Sequence, residues 1–265
     1  MKVSLLISTY NRPDALARCL ESALAQTRLP DEIVVGDDGS TDQTRQLVER
    51  IAAVNPGVPI VHVWHEDAGF RLAKIRNRSI AKATGEYIIQ IDGDMVLNRH
   101  FVEDHLSVAR PGFFVLGGRI RLNGLGTDRM LGSHGPAPYV LPWSRYLEKD
   151  RLKAFRLPLL GKWLSPRYKR NGSGIGANMA FWKSDLLKVN GYDEWFEGWG
   201  GEDTDLEKRL KAAGVESFKL FRLGLAYHLK HREKPNDRNE ALYQYTDAKL
   251  RRGEIVAKKG IENYE

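Results

Sequence analysis

Between Asn190 and Leu206 the chain gathers Gly191, Gly198, Gly200 and Gly201, the aromatics Tyr192, Trp195, Phe196 and Trp199, and a cluster of carboxylates. A packed core does not select this mixture, because glycine weakens regular elements and unpaired carboxylates stay wet. Trp199 beside Gly200 and Gly201 offers a flat apolar face where backbone can approach a ligand. Glu202, Asp203 and Asp205 add acid–base and hydrogen-bonding groups. An aromatic face with carboxylates suits a sugar, whose C–H face stacks on indole while its hydroxyls donate to carboxylates. A glycine turn leading into an acidic helix start is the plainer reading, and both hold together. Leu206, Leu210 and Ala213 recur at helical spacing, so a helix is expected from Asp203.

Asp92-Gly93-Asp94 is the second carrier of chemistry. Two carboxylates flanking a glycine suit a divalent cation and ribose hydroxyls, with room for phosphate; Mg2+ and Mn2+ take oxygen ligands and share them with substrate phosphates. The same tripeptide also makes common turns. Of Asp37 and Asp38, one is surplus to helix capping, since Ser40 or Thr41 serves as N-cap, and the other could accept from a base N–H. His228, followed by His231, is by residue type more often structural, but an imidazole beside carboxylates favours manganese over magnesium or calcium. Arg71, Lys74, Arg76 and Arg78 crowd one helix start. Arg76 could neutralise a diphosphate, and a solvated face explains some of the others.

These residues need elements to bring them together. Apolar runs at 2–8, 31–36, 59–65 and 87–91 read as buried strands. Helical stripes at 14–25, 41–53 and 72–83 alternate with them, which specifies a parallel sheet with right-handed crossovers. Ligands bind at the carboxyl ends of such strands. Ser8-Thr9-Tyr10-Asn11-Arg12, Asp37-Asp38-Gly39-Ser40 and Asp92-Gly93-Asp94 all sit at those ends and should converge. The glycine fingerprints of dinucleotide and P-loop sites are missing from the sequence, which weighs against those classes. Further on, 113–121, 179–182 and 217–223 read as strands and 185–189 as a short helix. Residues 123–144 read as a loop suited to a lid, and 171–178 as a flexible segment of close approach. The chain after Pro235 reads as helical, with Tyr243, Tyr245 and Leu250 as docking points.

The chain has 265 residues, a net charge of +7 and one cysteine, Cys19. An internal disulfide is excluded and a cytoplasmic setting fits. The opening residues are too short for a signal peptide, and no run is long enough to span a membrane. Residues 145–170 hold nine cations against Glu148 and Asp150, interleaved with leucines and aromatics. Such a pattern suits a membrane surface, at the inner face of the membrane, or an anionic acceptor; a solvated face is the alternative, and Pro158 interrupts the stripe.

The segments at residues 8–12, 34–40 and 92–94 resemble the GT-A fold of family 2 glycosyltransferases. Asn178-Met179-Ala180-Phe181 and the run from Gly191 to Asp203 resemble the C-terminal part of β-1,4-galactosyltransferases and bacterial chondroitin-type polymerases. The likeness extends from Val3 to about His231, and is weak over 122–170 and beyond Pro235. It implies an α/β GT-A fold, a mostly parallel sheet flanked by helices, in one domain over 1–265. Residues 1–105 would bind the nucleotide sugar, 106–234 the acceptor, and 235–265 would form a helical tail.

The resemblance also implies roles. Asp38 would bind uracil, Asp92 and Gly93 the ribose and phosphates, with Ser8, Tyr10, Arg12 and Arg76 around the donor. Asp94 and His228 would ligate Mn2+ or Mg2+. Trp199 would floor the sugar site, with Gly200, Gly201 and Glu202 around the acceptor. Asp203 would be the general base, with Glu202 as runner-up. Galactosyltransferases add a methionine ligand three residues before the histidine. Leu225 stands there, so water or phosphate is expected to complete the shell. The expected activity is inverting transfer of a hexose or N-acetylhexosamine from a UDP-sugar to a glycan or lipid-linked acceptor of a surface polysaccharide or lipopolysaccharide. A catalytically silent binding module, a nucleotidyltransferase and, on charge alone, a nucleic-acid binder are the rivals; nucleic acid is not expected as a partner.

Overall fold

A computed structural model describes residues 1–149, 151–167, 176–231 and 240–264. The first half alternates as its periodicity requires: β1 (Val3–Thr9), α1 (Pro13–Leu24), β2 (Glu32–Asp37), α2 (Asp42–Val54), β3 (Ile60–Trp64), α3 (Leu72–Lys82) and β4 (Tyr87–Asp92). The four strands are mutually parallel, with Ser8 level with Gly36 on one side and with Asp92 on the other. That register brings three strand ends to one line. Alternation along β1 separates the two core layers. Leu5 and Ile7 pack with Leu16 and Leu20 of α1, while Leu6 packs with Ile75 and Ile80 of α3. These residues are 0–2% exposed, and each such side chain contributes about 1.5–3 kcal/mol on burial.

The chain continues through β5 (Met95–Leu97), α4 (Phe101–Leu106), β6 (Phe113–Leu116), β7 (Ile120–Arg121), α5 (Gly124–Leu131) and α6 (Pro158–Leu164). It then forms β8 (Asn178–Trp182), α7 (Lys183–Lys188), α8 (Glu202–Ala212), β9 (Glu216–Lys219), β10 (Ala226–His228) and α9 (Glu240–Arg251). The main sheet has the order β3-β2-β1-β4-β8-β6-β9, in which β8 runs antiparallel to β4 and β6. A second sheet, β5-β10-β7, sets Met95 against His228 and Arg121 beside it.

Four expectations are corrected. The strand expected over 113–121 divides at Gly117, where a Cβ would lie 2.1 Å from the Asn178 side chain. Asn178 Nδ2 donates to the Gly118 and Gly224 carbonyls, at 2.8 and 3.2 Å, and so clamps the crossing between the two sheets. The loop expected over 123–144 contains α5, capped by Asn123 Oδ1 accepting from Gly126 N–H at 3.0 Å; Gly124 and Gly126 conceal it. Pro158 opens α6 at a first-turn position, where its missing N–H costs nothing, rather than interrupting a stripe. The strand expected over 217–223 ends at Lys219. Most of the expected flexible segment at 171–178 lies outside the described residues; its last residue, Asn178, opens β8.

Candidate active site

The ends of β1 and β2 are tied by Asn11, in the left-handed region at φ 47°. Its N–H donates to Ser40 Oγ at 2.8 Å, and its Oδ1 accepts from Thr41 N–H at 3.0 Å. Asp37 serves the turn, accepting from Ser40 N–H at 2.8 Å with His62 Nε2 3.0 Å away. Asp38 faces the next connection, with Oδ1 2.6 Å from His65 Nε2 and Oδ2 accepting from Arg71 N–H at 3.0 Å. Each of its oxygens keeps a second lone pair for a ligand. Ser8 contributes through its carbonyl, which accepts from Gly93 N–H at 2.7 Å; a Cβ at Gly93 would come within 3.0 Å of that oxygen. Tyr10 stands at the exposed rim, donating to Asp67 at 2.9 Å.

Asp94 emerges between β4 and β5. Its Oδ2 lies 3.3 Å from Arg12 Nη1, 3.6 Å from His228 Nε2 and 3.2 Å from His231 Nε2. Its Oδ1 is buried and meets no donor among the described residues. Donor atoms of Asp94, His228 and His231 all lie within 4.8 Å of one another. A carboxylate with two imidazoles and an unmet buried oxygen fits a divalent cation, and the nitrogen ligands favour a transition metal. Burial pushes His228 down to about 4, against the pull of Asp94, which keeps it in the neutral, ligating form. Burial raises the Asp94 carboxyl, but the His231 hydrogen bond and the charges of His228, His231 and Arg12 outweigh it and hold it below the ordinary range. His231 is the candidate donor that sequence reasoning missed. Its spacing of three from His228 was the available signal. Leu225, the residue at the expected methionine position, is buried in the third apolar cluster.

Glu202 and Asp203 open α8 immediately after Gly200 and Gly201, whose φ values of 94° and 93° suit glycine. Arg76, 2% exposed, joins them to the strand ends. Its Nη1 lies 2.9 Å from Asp203 Oδ1 and 3.2 Å from Glu202 Oε1, and its Nη2 is 3.4 Å from Asp92 Oδ1. Arg76, expected beside a diphosphate, here contacts three carboxylates, those of Asp92, Glu202 and Asp203. Burial, with the neighbouring carboxylates adding to it, pushes Asp92 up to about 6 and Glu202 up to about 7, although Arg76 opposes both shifts. Asp203 Oδ2 accepts from Gly176 N–H at 2.8 Å. Gln90 fixes Gly176 in turn by donating to its carbonyl at 3.0 Å. Trp199 is half-exposed beside this cluster, while the other indole, Trp195, is stacked on Tyr245 of α9 at 3.8 Å.

Residues 4–165 match the model of glycosyl transferase family 2. The chain belongs to glycosyl transferase family 2. Residues 162–232 of this family 2 chain also match the domain described as the N-terminal domain of galactosyltransferase. It is similar to validoxylamine A glucosyltransferase of Streptomyces hygroscopicus subsp. limoneus, 30% identical over 235 residues, which cover 80% of this chain and 48% of the relative. It is also similar to chondroitin synthase of Escherichia coli, 26% identical over 269 residues, covering 90% of this chain and 36% of the relative. This family 2 chain thus spans about half or less of the length of those relatives. The mannosyltransferase PcManGT from Pyrobaculum calidifontis, solved in complex with GDP-Man and Mn2+, shares the fold with a TM-score of 0.60 and 19% identity over 94% of this chain and 61% of that one. The expected GT-A architecture, mostly parallel and flanked by helices, is what the family 2 chain adopts.

Proposed function

We propose that this protein is an inverting, metal-dependent glycosyltransferase that moves a hexose or N-acetylhexosamine from a UDP-sugar to a hydroxyl of a glycan or lipid-linked saccharide. One observation carries the reading: Arg76 spans from Asp92, at a strand end of the nucleotide side, to Asp203, in the first turn of α8. This link supports reading Asp92 as a donor-side group and Asp203 as an acceptor-side group of one centre. Asp38 is the acceptor for the base of the nucleotide, and Trp199 the platform for a sugar ring. Asp94, His228 and His231 would hold Mn2+ or Mg2+, whose charge offsets that developing on a diphosphate leaving group.

Asp203 is the general base. It is the more open of the two candidates, with its side chain 20% exposed against 8% for Glu202. Its Oδ2, with only Gly176 N–H bound among the described residues, keeps a lone pair for the acceptor proton. Arg76 and Gly176 fix the carboxylate so that little reorganisation precedes proton transfer. As the acceptor oxygen bonds to the anomeric carbon, the bond from that carbon to the diphosphate oxygen breaks, the electron pair leaves with the diphosphate, and the proton passes to Asp203. A single displacement inverts the centre, by the logic of inverting hydrolysis with a sugar hydroxyl in place of water. Glu202, buried against Arg76 at 3.2 Å, is the less accessible of the two and is not assigned the base.

The test is nucleotide release with Mn2+ across a panel of UDP- and GDP-sugars. Release from one UDP-sugar, abolished by a chelator, is the expected result. Release from GDP-sugars alone would overturn the uracil assignment. No nucleotide binding or release at all would favour a silent module.

Membrane contact belongs to the same proposal. No helix among the described residues is long and apolar enough to cross a bilayer. Trp143, Leu152, Leu159 and Trp163 are nevertheless 69, 70, 86 and 57% exposed on one excursion that also carries Arg145, Lys149, Arg151, Lys153 and Lys162. Exposed indoles and leucines among cations suit an anionic bilayer surface.

A further inference from the structure

A cavity of about 320 Å³ opens between the turn joining β6 to β7 and the connection joining β9 to β10. Arg119, Arg121, Lys153, Lys219 and Arg222 line it, and none of its lining residues is acidic. Arg119 Nε and Arg222 Nη1 are buried without a hydrogen-bond partner among the described residues. Buried donors in native proteins are met, so two unmet guanidinium N–H groups at one cavity point to a missing acceptor. Arg222 adds an independent sign. Its φ of 56° lies where glycine or asparagine is easier. The turn is fixed there by Leu157 N–H donating to the Arg222 carbonyl and by Gly224 N–H donating to Asp104 Oδ2, both at 3.0 Å. A long cationic side chain held in a strained backbone position is a mark of function.

The cavity adjoins the reacting end of the site. Arg121 is the register neighbour of His228, and the charges of Arg119 and Arg121 both bear on that imidazole. It is bordered by the β6 and β9 side of the sheet, whereas Asp38 follows β2 on the opposite side of β4. A nucleotide seated at Asp38 with its phosphates at Asp94 leaves this cavity to the second substrate. We propose that the cavity binds an anionic group, phosphate or carboxylate, carried by the acceptor, so that this protein glycosylates an acidic acceptor. The proposal rests on the transferase reading above. Planar guanidinium forks match either anion in paired hydrogen bonds. A phosphate would come from a phosphate-linked carrier lipid, a carboxylate from an acidic sugar.

The experiment is calorimetric titration of methyl phosphate and, separately, glucuronate into the full chain, with and without saturating UDP and Mg2+. One saturable site that persists with UDP bound is expected, with methyl phosphate tighter for a phosphate-linked acceptor and glucuronate tighter for an acidic sugar. Arg222→Asn, which keeps a residue suited to positive φ, and Arg121→Gln should each weaken the preferred probe by about tenfold, the loss expected of one charge-assisted pair, while UDP affinity stays within about twofold. Displacement of the probe by UDP would assign the cavity to the donor diphosphate and overturn the proposal. Absence of saturable binding, or unchanged affinity in both variants, would also overturn it. Failure of UDP itself to bind while the probes do would count against the transferase reading alone.

Discussion

The proposal gives Asp203, His231 and Glu202 different roles, and one substitution at each tests them. Asp203→Asn keeps the shape of the carboxylate but not its basicity. Turnover should fall on the order of 10²–10⁴-fold while UDP affinity is retained, and parallel loss of both would remove the base assignment. His231→Ala should weaken Mn2+ binding by at least the roughly 10–100-fold that loss of an outer-shell partner costs. Equal Mn2+ titrations of variant and parent would exclude His231 from the donor set. Glu202 is raised by burial from an ordinary 4.5 to about 7. Its contribution to stability is therefore full below about 4.5 and is lost as pH rises through about 7. Glu202→Gln should flatten the fall in Tm across that window. The grouping of Asp92 with Asp203, which Arg76 links, and of Asp94 with His228, could be anticipated because all four carboxylate and imidazole groups stand at strand or helix ends. That of His231 could not, because a histidine three residues beyond a strand acquires meaning only once β10 is laid against β5. The burial of Arg76 was equally hidden, since Asp203 is 127 residues away from it in sequence.

Whether an element was legible depended on its length and period. β1, β2 and β4 are buried along almost their whole length, so hydrophobic spacing located them, while β3 was located by its apolar run although only Val63 of it is buried. β5 and β10 have three residues each, too few to show a period, yet they carry Asp94 and His228 into place. α9 shows how a distant element supports the site. Tyr245 stacks on Trp195, Thr246 donates to Asp205 at 2.9 Å, and Lys249 pairs with Asp193, both of them 2% exposed. Of the expected docking points Tyr245 serves, Leu250 is half-buried, and the Tyr243 side chain lies outside the described residues. Removing one partner of a buried ion pair strands the other charge. Lys249→Met should cost about 3–5 kcal/mol in urea unfolding, and a loss below about 1 kcal/mol would show that the pair does not hold the helix.

The chain joins a first half, in which helices and strands alternate, to a half built from short strands and an apolar, basic excursion. Family membership was readable from motifs, and both readings of the excursion, a membrane surface or a solvated face, require the exposure that Leu152, Leu159 and Trp163 show; the pattern of leucines among cations does not choose between them. Anionic phosphatidylglycerol vesicles should sediment the protein and neutral phosphatidylcholine vesicles should not. Leu159→Ser with Trp163→Ser should reduce that binding by about tenfold or more, given roughly 1.5–3 kcal/mol for each apolar side chain buried. Retention of full binding would place the contact elsewhere. The docking of α9 has a further consequence for biosynthesis. Every residue assigned to the catalytic centre leaves the ribosome before Thr246 and Lys249 do, so a nascent chain carries Asp205 without Thr246 and Asp193 with its charge unneutralised. The Trp195–Gly201 turn acquires its last supports only when α9 arrives, which delays a competent transferase until synthesis has passed the whole of its active site.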